Sequence, residues 1–158
     1  MTTVRDTQPA DLEPLTLLWW SGWRDGHDGL LPDALTRLRT LESFEDRMRA
    51  AFAQVRVFGP VGAPLGFHLL KADELYQFYL AAEARGTGAA ATLMADAEAR
   101  LARAGVTVAW LACAIGNARA ARFYEKAGWS MARIETVPTE TSEGLFPLEV
   151  WRYEKRLI

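Results

Sequence analysis

The segment Arg85-Gly86-Thr87-Gly88-Ala89-Ala90-Ala91 joins a cation, two glycines and three small residues directly behind an apolar run, Glu74–Leu80. Glycines let the backbone approach a ligand closely and take left-handed angles. An alanine-rich stretch follows, Ala89–Ala104, with Leu93, Met94, Ala97 and Leu101 at helical spacing. The first turn of such a helix leaves N–H groups unpaired at the positive end of its dipole, and phosphate oxygens bind there. Arg85 adds a fork of donors that matches a pyrophosphate. Taken alone, the segment reads equally well as a plain helix start with two turn glycines. Two nucleotide alternatives fail on the residues. A P-loop needs Gly-Lys-Ser/Thr, which is missing, and a dinucleotide fingerprint stops at Gly86-x-Gly88 with no acid closing the next strand.

A second constellation runs from Asn117 to Trp129, NARAARFYEKAGW. The two segments together resemble the GCN5-related N-acetyltransferase (GNAT) superfamily. Its donor-binding pattern [Q/R]-x-x-G-x-[G/A] is met by Arg85, Gly88 and Ala90. Its N-x-x-A-x-x-F-Y-E-K-x-G-[F/W] pattern is met at every fixed position from Asn117 to Trp129. About 27 residues separate Ala90 from Asn117, room for one helix and one strand, as the family requires. Ala82 departs from the family, which often has proline there.

The resemblance implies acetyl transfer from acetyl-CoA, as acyl-donor co-substrate and without a metal, to a primary amine of a small molecule or peptide by direct attack. It implies a donor site built from Phe78, Tyr79, Leu80, Arg85, Gly86, Thr87, Gly88, Ala89, Ala90, Ala91, Asn117 and Phe123. Arg85 to Ala91 hold the pyrophosphate, and the strand 78–80 lines the pantetheine and acetyl groups. Tyr124 is the candidate general acid for the departing thiolate. Asn117 reads both as a donor contact and as a helix N-cap. The acceptor side draws on Trp23, His27 and Gln77, where ring faces and nearby carboxylates suit a cationic amine. Glu74, Glu83, His27 and His68 are candidate bases, and none is singled out. A GNAT-fold acyl-CoA sensor without turnover is the alternative, and intact Tyr124 speaks against it.

These residues need a frame. Thr2–Arg5 reads as an opening strand, and Asp11 after Pro9 as entry to a helix broken by Ser21-Gly22 and Asp25–Gly29. The stretch from Pro32 to Met48 predicts one long helix or two shorter ones. Strands are predicted at 54–58, 65–71, 74–80, 106–114, 129–137 and 148–155, with 106–114 buried on both faces and Pro138–Pro147 an irregular connection. Helices are predicted at Ala89–Ala104 and Ala118–Lys126. This order fits one α/β (α+β) domain over 1–158. The family implies a mixed, mostly antiparallel central sheet of about six to seven strands, flanked by about four helices, with a splayed central strand pair at the acyl-CoA site.

Composition agrees. The chain has 158 residues, a net charge of −2, one cysteine and two histidines. That argues against nucleic acid as partner, excludes an internal disulfide and disfavours a structural zinc. No apolar run approaches the roughly 18 residues of a membrane span, and the N-terminus lacks a signal-peptide pattern. The reading is a cytoplasmic protein with no membrane partner, and a homodimer is compatible with it.

Overall fold

A computed structural model describes residues 3–158. Its single sheet contains β1 (Val4–Asp6), β2 (Arg56–Phe58), β3 (Gly66–Lys71), β4 (Glu74–Leu80), β5 (Val108–Ala114), β6 (Ser130–Thr141) and β7 (Gly144–Arg156). The spatial order is β1-β2-β3-β4-β5-β7-β6, and every neighbouring pair is antiparallel except β4 and β5. The opening strand begins two residues later than expected, and Thr2 lies outside the described residues.

Five α-helices accompany the sheet, one more than expected: α1 (Leu12–His27), α2 (Asp33–Thr36), α3 (Leu41–Ala51), α4 (Ala89–Arg103) and α5 (Ala118–Lys126). The extra one arises because the Pro32–Met48 stretch divides. Thr40 is extended, and its hydroxyl accepts the Ser43 N–H at 3.1 Å, so α3 starts at its own cap. Entry into α1 is fixed by Asp11, which is fully buried. Its carboxylate accepts two bonds from Arg5 and one each from the Gln8 and Gly62 N–H groups.

Three expectations are corrected. First, α1 continues through Ser21-Gly22 and Asp25-Gly26 to His27 instead of breaking. Both glycines permit close approach. A Cβ on Gly22 would lie 2.6 Å from Tyr79 Cδ1, and one on Gly26 3.2 Å from Asn117 Nδ2. Second, Pro138–Pro147 is no irregular connection, because β6 and β7 extend into a hairpin in which Pro138 faces Pro147. β5 pairs with β7 only at Val150–Arg156, so Pro147 removes no donor from a three-stranded region. Third, β5 is not buried on both faces. Ala109, Leu111 and Cys113 are buried, whereas Val108 and Ala112 are exposed.

The sheet divides the core. On one face, Met94, Ala97 and Leu101 of α4 and Ala121 of α5 pack on Leu75, Leu111 and Cys113 with Trp129. On the other, Leu15 and Trp19 of α1 and Phe44 and Met48 of α3 pack on Val57, Phe67 and Leu69. Leu75 and Phe78 join the first cluster, while Tyr76 and Tyr79 join the second. Strict alternation forbids partners three residues apart on one face. A register shift opposite Leu69/Leu70 supplies the missing residue, so a bulge in β4 re-aims its side chains.

Candidate active site

β4 and β5 run parallel but share a single register pair, Glu74 with Trp110. Beyond it β4 follows β3 to Leu80, and β5 follows β7 to Ala114. The two strands therefore part toward their C-terminal ends. A cleft of about 410 Å³ lies there, walled by Leu75–Leu80 on one side and Ala112–Ala114 on the other. Along Gln77–Leu80 the β5-facing edge of β4 has no strand partner among the described residues. Its main-chain groups are left to a ligand.

At the mouth, Ala82–Ala84 form one 3-10 turn even though proline is missing, and the chain then enters the glycine turn. Gly86 and Gly88 take φ of +75° and +88°, and a Cβ on either would meet nothing within 4 Å. These glycines are needed for left-handed backbone and leave an open face in front of α4. Gly88 caps α4 in that conformation. Arg85, Gly86 and Ala90 line the cleft. Thr87 accepts the Ala89 N–H at 3.4 Å, and the Ala89 methyl is buried. Thr87, Gly88, Ala89 and Ala91, also expected at the donor site, are not among the residues that line the cleft.

Two guanidiniums meet across this mouth. Arg85 Nη2 and Arg119 Nη2 lie 2.9 and 2.7 Å from the same oxygen, Asp25 Oδ2. The bonds from Arg119 and then Arg85 hold the Asp25 carboxyl below its ordinary pKa. An open backbone face with two cations held only by one exposed carboxylate fits a pyrophosphate.

Deeper in, Phe78 stacks on Phe123 at 5.3 Å and Phe123 leans on Tyr124 at 5.5 Å. Helix α5 presents both aromatics because Asn117 caps it, accepting the Ala120 N–H at 3.3 Å. The Asn117 amide nitrogen has no hydrogen-bond acceptor among the described residues. Tyr124 lines the cleft with no hydrogen-bond partner for its hydroxyl among the described residues. Burial raises its pKa, so it is a neutral donor at physiological pH. Burial also pushes the Cys113 thiol up to about 12. A thiol so held is a poor nucleophile, which disfavours an acyl-cysteine route.

The inner end lies beside α1 and the α2–α3 junction. Trp23, His27 and Gln77 all line it, as expected. His27 stacks on Trp23 at 5.3 Å, and its Nδ1 lies 2.7 Å from the Trp23 carbonyl. Burial lowers its pKa and keeps it neutral. Glu74 also lines the cleft, and burial raises its carboxyl to about 7. Of the other candidate bases, His68 is fully buried and bonded to Asp96 at 2.7 Å, outside the cleft, and Glu83 is exposed outside it. Arg39, Arg47, Asp25 and Arg119 also line it. Arg119 occupies a variable position of the Asn117–Trp129 motif, whereas no sequence motif marks Arg39 or Arg47, which reach the site through tertiary packing.

A parted parallel strand pair, a glycine turn beneath a helix N-terminus and a phenol facing the gap define an acyl-CoA-dependent transferase. The sequence profile of the acetyltransferase (GNAT) family matches residues 18–129, and the chain belongs to that family. It is an acetyltransferase that uses acetyl-CoA as donor. No curated protein matches the chain. Among solved structures it is similar to a GCN5-related N-acetyltransferase from Rhodopseudomonas palustris, with a TM-score of 0.73 and 16% identity over 99% of this chain and 96% of that one. It is also similar to the PaiA N-acetyltransferase of Thermoplasma acidophilum in complex with coenzyme A, with a TM-score of 0.65 and 19% identity over 99% of both chains. A third is the putative acetyltransferase YncA of Salmonella typhimurium with acetyl-CoA, with a TM-score of 0.65 and 16% identity over 100% of this chain and 95% of that one. Among the described residues no helix is long and apolar enough to cross a membrane, and no cluster of metal-ligating side chains occurs.

Proposed function

We propose that the parted β4–β5 pair holds acetyl-CoA and that an acceptor amine attacks it directly from the inner end of the cleft. The observation that carries this reading is the unpaired edge of β4 facing the Tyr124 phenol across one cavity. Arg85 and the N–H groups of Gly86–Ala91 grip the pyrophosphate. The edge Phe78–Leu80 holds the pantetheine arm and polarises the thioester carbonyl. The Asn117 amide donates to the arm, and Phe123 forms its apolar wall. The amine nitrogen then bonds to the carbonyl carbon, and the carbon–sulfur bond breaks with its electron pair on sulfur. The Tyr124 hydroxyl supplies the proton that the thiolate takes. The amine's excess proton goes to Glu74, whose carboxyl near 7 suits a base at neutral pH. Trp23, His27 and Gln77 bound the acceptor. The solved relatives that carry coenzyme A or acetyl-CoA support the donor assignment.

The same reading takes residues 1–158 as one catalytic domain and the cytoplasm, where acetyl-CoA is available, as its location. Exposed Met131, Ile134 and Leu145 on the β6–β7 hairpin support a homodimer, which light scattering tests. Thiol release measured across amines, amino acids, polyamines, aminoglycosides and peptide N-termini tests the reaction. At least one class should release coenzyme A in step with an acetylated product. Release unaffected by every acceptor contradicts direct transfer.

A further inference from the structure

Arg39 sits in the turn between α2 and α3, where Thr36 and Thr40 bracket it. Only 6% of its surface is exposed, yet its Nε and Nη1 are buried with no hydrogen-bond partner. Among the described residues it forms no ion pair. Arg47 joins it in lining the same cleft, one helix turn from Phe44, whose ring it overlies along with that of Trp19. Arg47 also lacks a carboxylate; its Nη2 donates to the Tyr76 hydroxyl at 3.3 Å. Glu140, which lines the adjoining hollow, is taken by Lys71 at 2.6 Å, and Glu74 in the cleft forms no ion pair with either arginine among the described residues. Two guanidiniums therefore line one cavity, and neither has a carboxylate within ion-pair distance among the described residues.

A buried cation without a partner is costly, and buried donors left unmade are rare in folded proteins. Burial, and next the charge of Arg47, lowers the Arg39 pKa to about 10, so it remains charged at neutral pH. Both arginines also line a second hollow of about 530 Å³ with Tyr76, Lys71 and Glu140, so the pair stands where the inner end of the cleft continues toward solvent. The rigid fork of a guanidinium matches a planar carboxylate in two parallel bonds.

We propose that Arg39, flanked by Arg47, binds the carboxylate of the acceptor, which makes the acceptor class amino acids and related small amino-carboxylates. This rests on the acetyl-transfer reading above and specifies its substrate. The carboxylate docks at Arg39 and Arg47, and the amine is left toward Glu74 and the parted edge of β4. Loss of the carboxylate leaves the buried Arg39 cation stranded beside half-buried Arg47, so the matching amine without a carboxylate is rejected.

The test uses the full chain and the twenty proteinogenic amino acids, each paired with its carboxamide and, where stable, its decarboxylated amine. Two readouts are taken: thiol release with acetyl-CoA, and tryptophan quenching by the same compounds in the presence of coenzyme A. At least one amino acid should exceed its carboxamide by tenfold or more in kcat/KM and in binding. Arg39→Met should abolish that ratio, with the loss in kcat/KM and in binding falling on the amino acid and not on its carboxamide. Arg39→Lys keeps the charge, loses the fork and should lose most of the ratio through KM. Phosphoethanolamine serves as a probe for a phosphate site.

Turnover of amines at rates indifferent to the carboxylate, or a preference for phosphoethanolamine, overturns the carboxylate site while the transfer reading stands. Equal losses on amino acid and carboxamide in both Arg39 variants overturn it as well. Amino acids that bind through Arg39 but never release thiol support the site and contradict the transfer reading. Far-ultraviolet dichroism of each variant separates misfolding from loss of the site, and Arg47→Met provides the independent variant should Arg39→Met fail to fold.

Discussion

Asp25 Oδ2 lies 2.9 Å from Arg85 Nη2, so the last turn of α1 is tied to the glycine turn proposed to hold the donor's pyrophosphate. Arg119 reaches the same oxygen from α5. A pyrophosphate and Asp25 then compete for the same two cations. Each pair is half exposed, and such pairs contribute about 0.2–1 kcal/mol. Asp25→Asn should therefore tighten coenzyme A binding by roughly threefold, as one exposed competitor and its charge are removed. Calorimetric titration checks this. Weaker binding by the variant would show that Asp25 presents the arginines to the donor instead of competing for them.

Tyr124 has no hydrogen-bond partner among the described residues and faces the cleft, and burial keeps it protonated. Tyr124→Phe retains the ring that packs on Phe123 and Tyr153 and deletes only the proton donor. The expected result is a fall in kcat of about 10²-fold with donor affinity unchanged. Equal kcat in wild type and variant would remove the phenol from the mechanism.

Glu74 carries a two-sided prediction. A base must be ionised, so kcat/KM should climb with pH and level off above about 7, where burial sets the carboxyl. Glu74→Gln should lose that limb. Stability moves the other way. The folded carboxyl titrates near 7, above the ordinary 4.5, so between those values the unfolded chain has released a proton that the folded chain retains. Stability falls as pH rises through that window. At pH 8 Glu74→Gln should be more stable than wild type by about 1–2 kcal/mol, after allowance for partial solvent screening. Thermal melts at pH 5 and pH 8 give the sign, and a variant less stable than wild type at pH 8 contradicts it.

Gly22 sits inside α1, where alanine ordinarily stabilises by about 1 kcal/mol. Here a Cβ would lie 2.6 Å from the Tyr79 ring. Overpacking costs about 1–3 kcal/mol, so the clash outweighs the propensity gain. Gly22→Ala should lower the melting temperature and raise the acceptor KM, because Tyr79 shares the cleft wall with Gln77. A stabilised variant would mean that Tyr79 swings aside at little cost.

The extent to which these features can be read from sequence follows how local their causes are. β4 and α5 begin and end where the residues predict, since an apolar run, an Asn cap and an Ala-Gly stop all act within a few positions. Gly22 and Gly26 signal a helix break by local propensity, but α1 runs on because two tertiary contacts need their missing side chains. Pro138 and Pro147 signal irregular chain, yet each falls where the hairpin has outrun β5 and a lost donor harms no third strand. The donor half of the site is written in two contiguous motifs. Of the proposed acceptor half, Trp23, His27, Gln77 and Glu74 are legible as candidates and line the cleft, whereas Arg39 and Arg47 take their meaning from burial and from absent carboxylate partners, neither of which a sequence pattern records.

The donor site is the centre of the account, and calorimetric titration of the wild-type chain with acetyl-CoA tests it most directly, with Arg85→Ala and the truncated donor S-acetylpantetheine in parallel. The account predicts one-to-one micromolar binding of acetyl-CoA, at least tenfold weaker in Arg85→Ala and weaker again for the donor that lacks the pyrophosphate. No detectable heat at millimolar acetyl-CoA, or equal affinity for both donors, would contradict it.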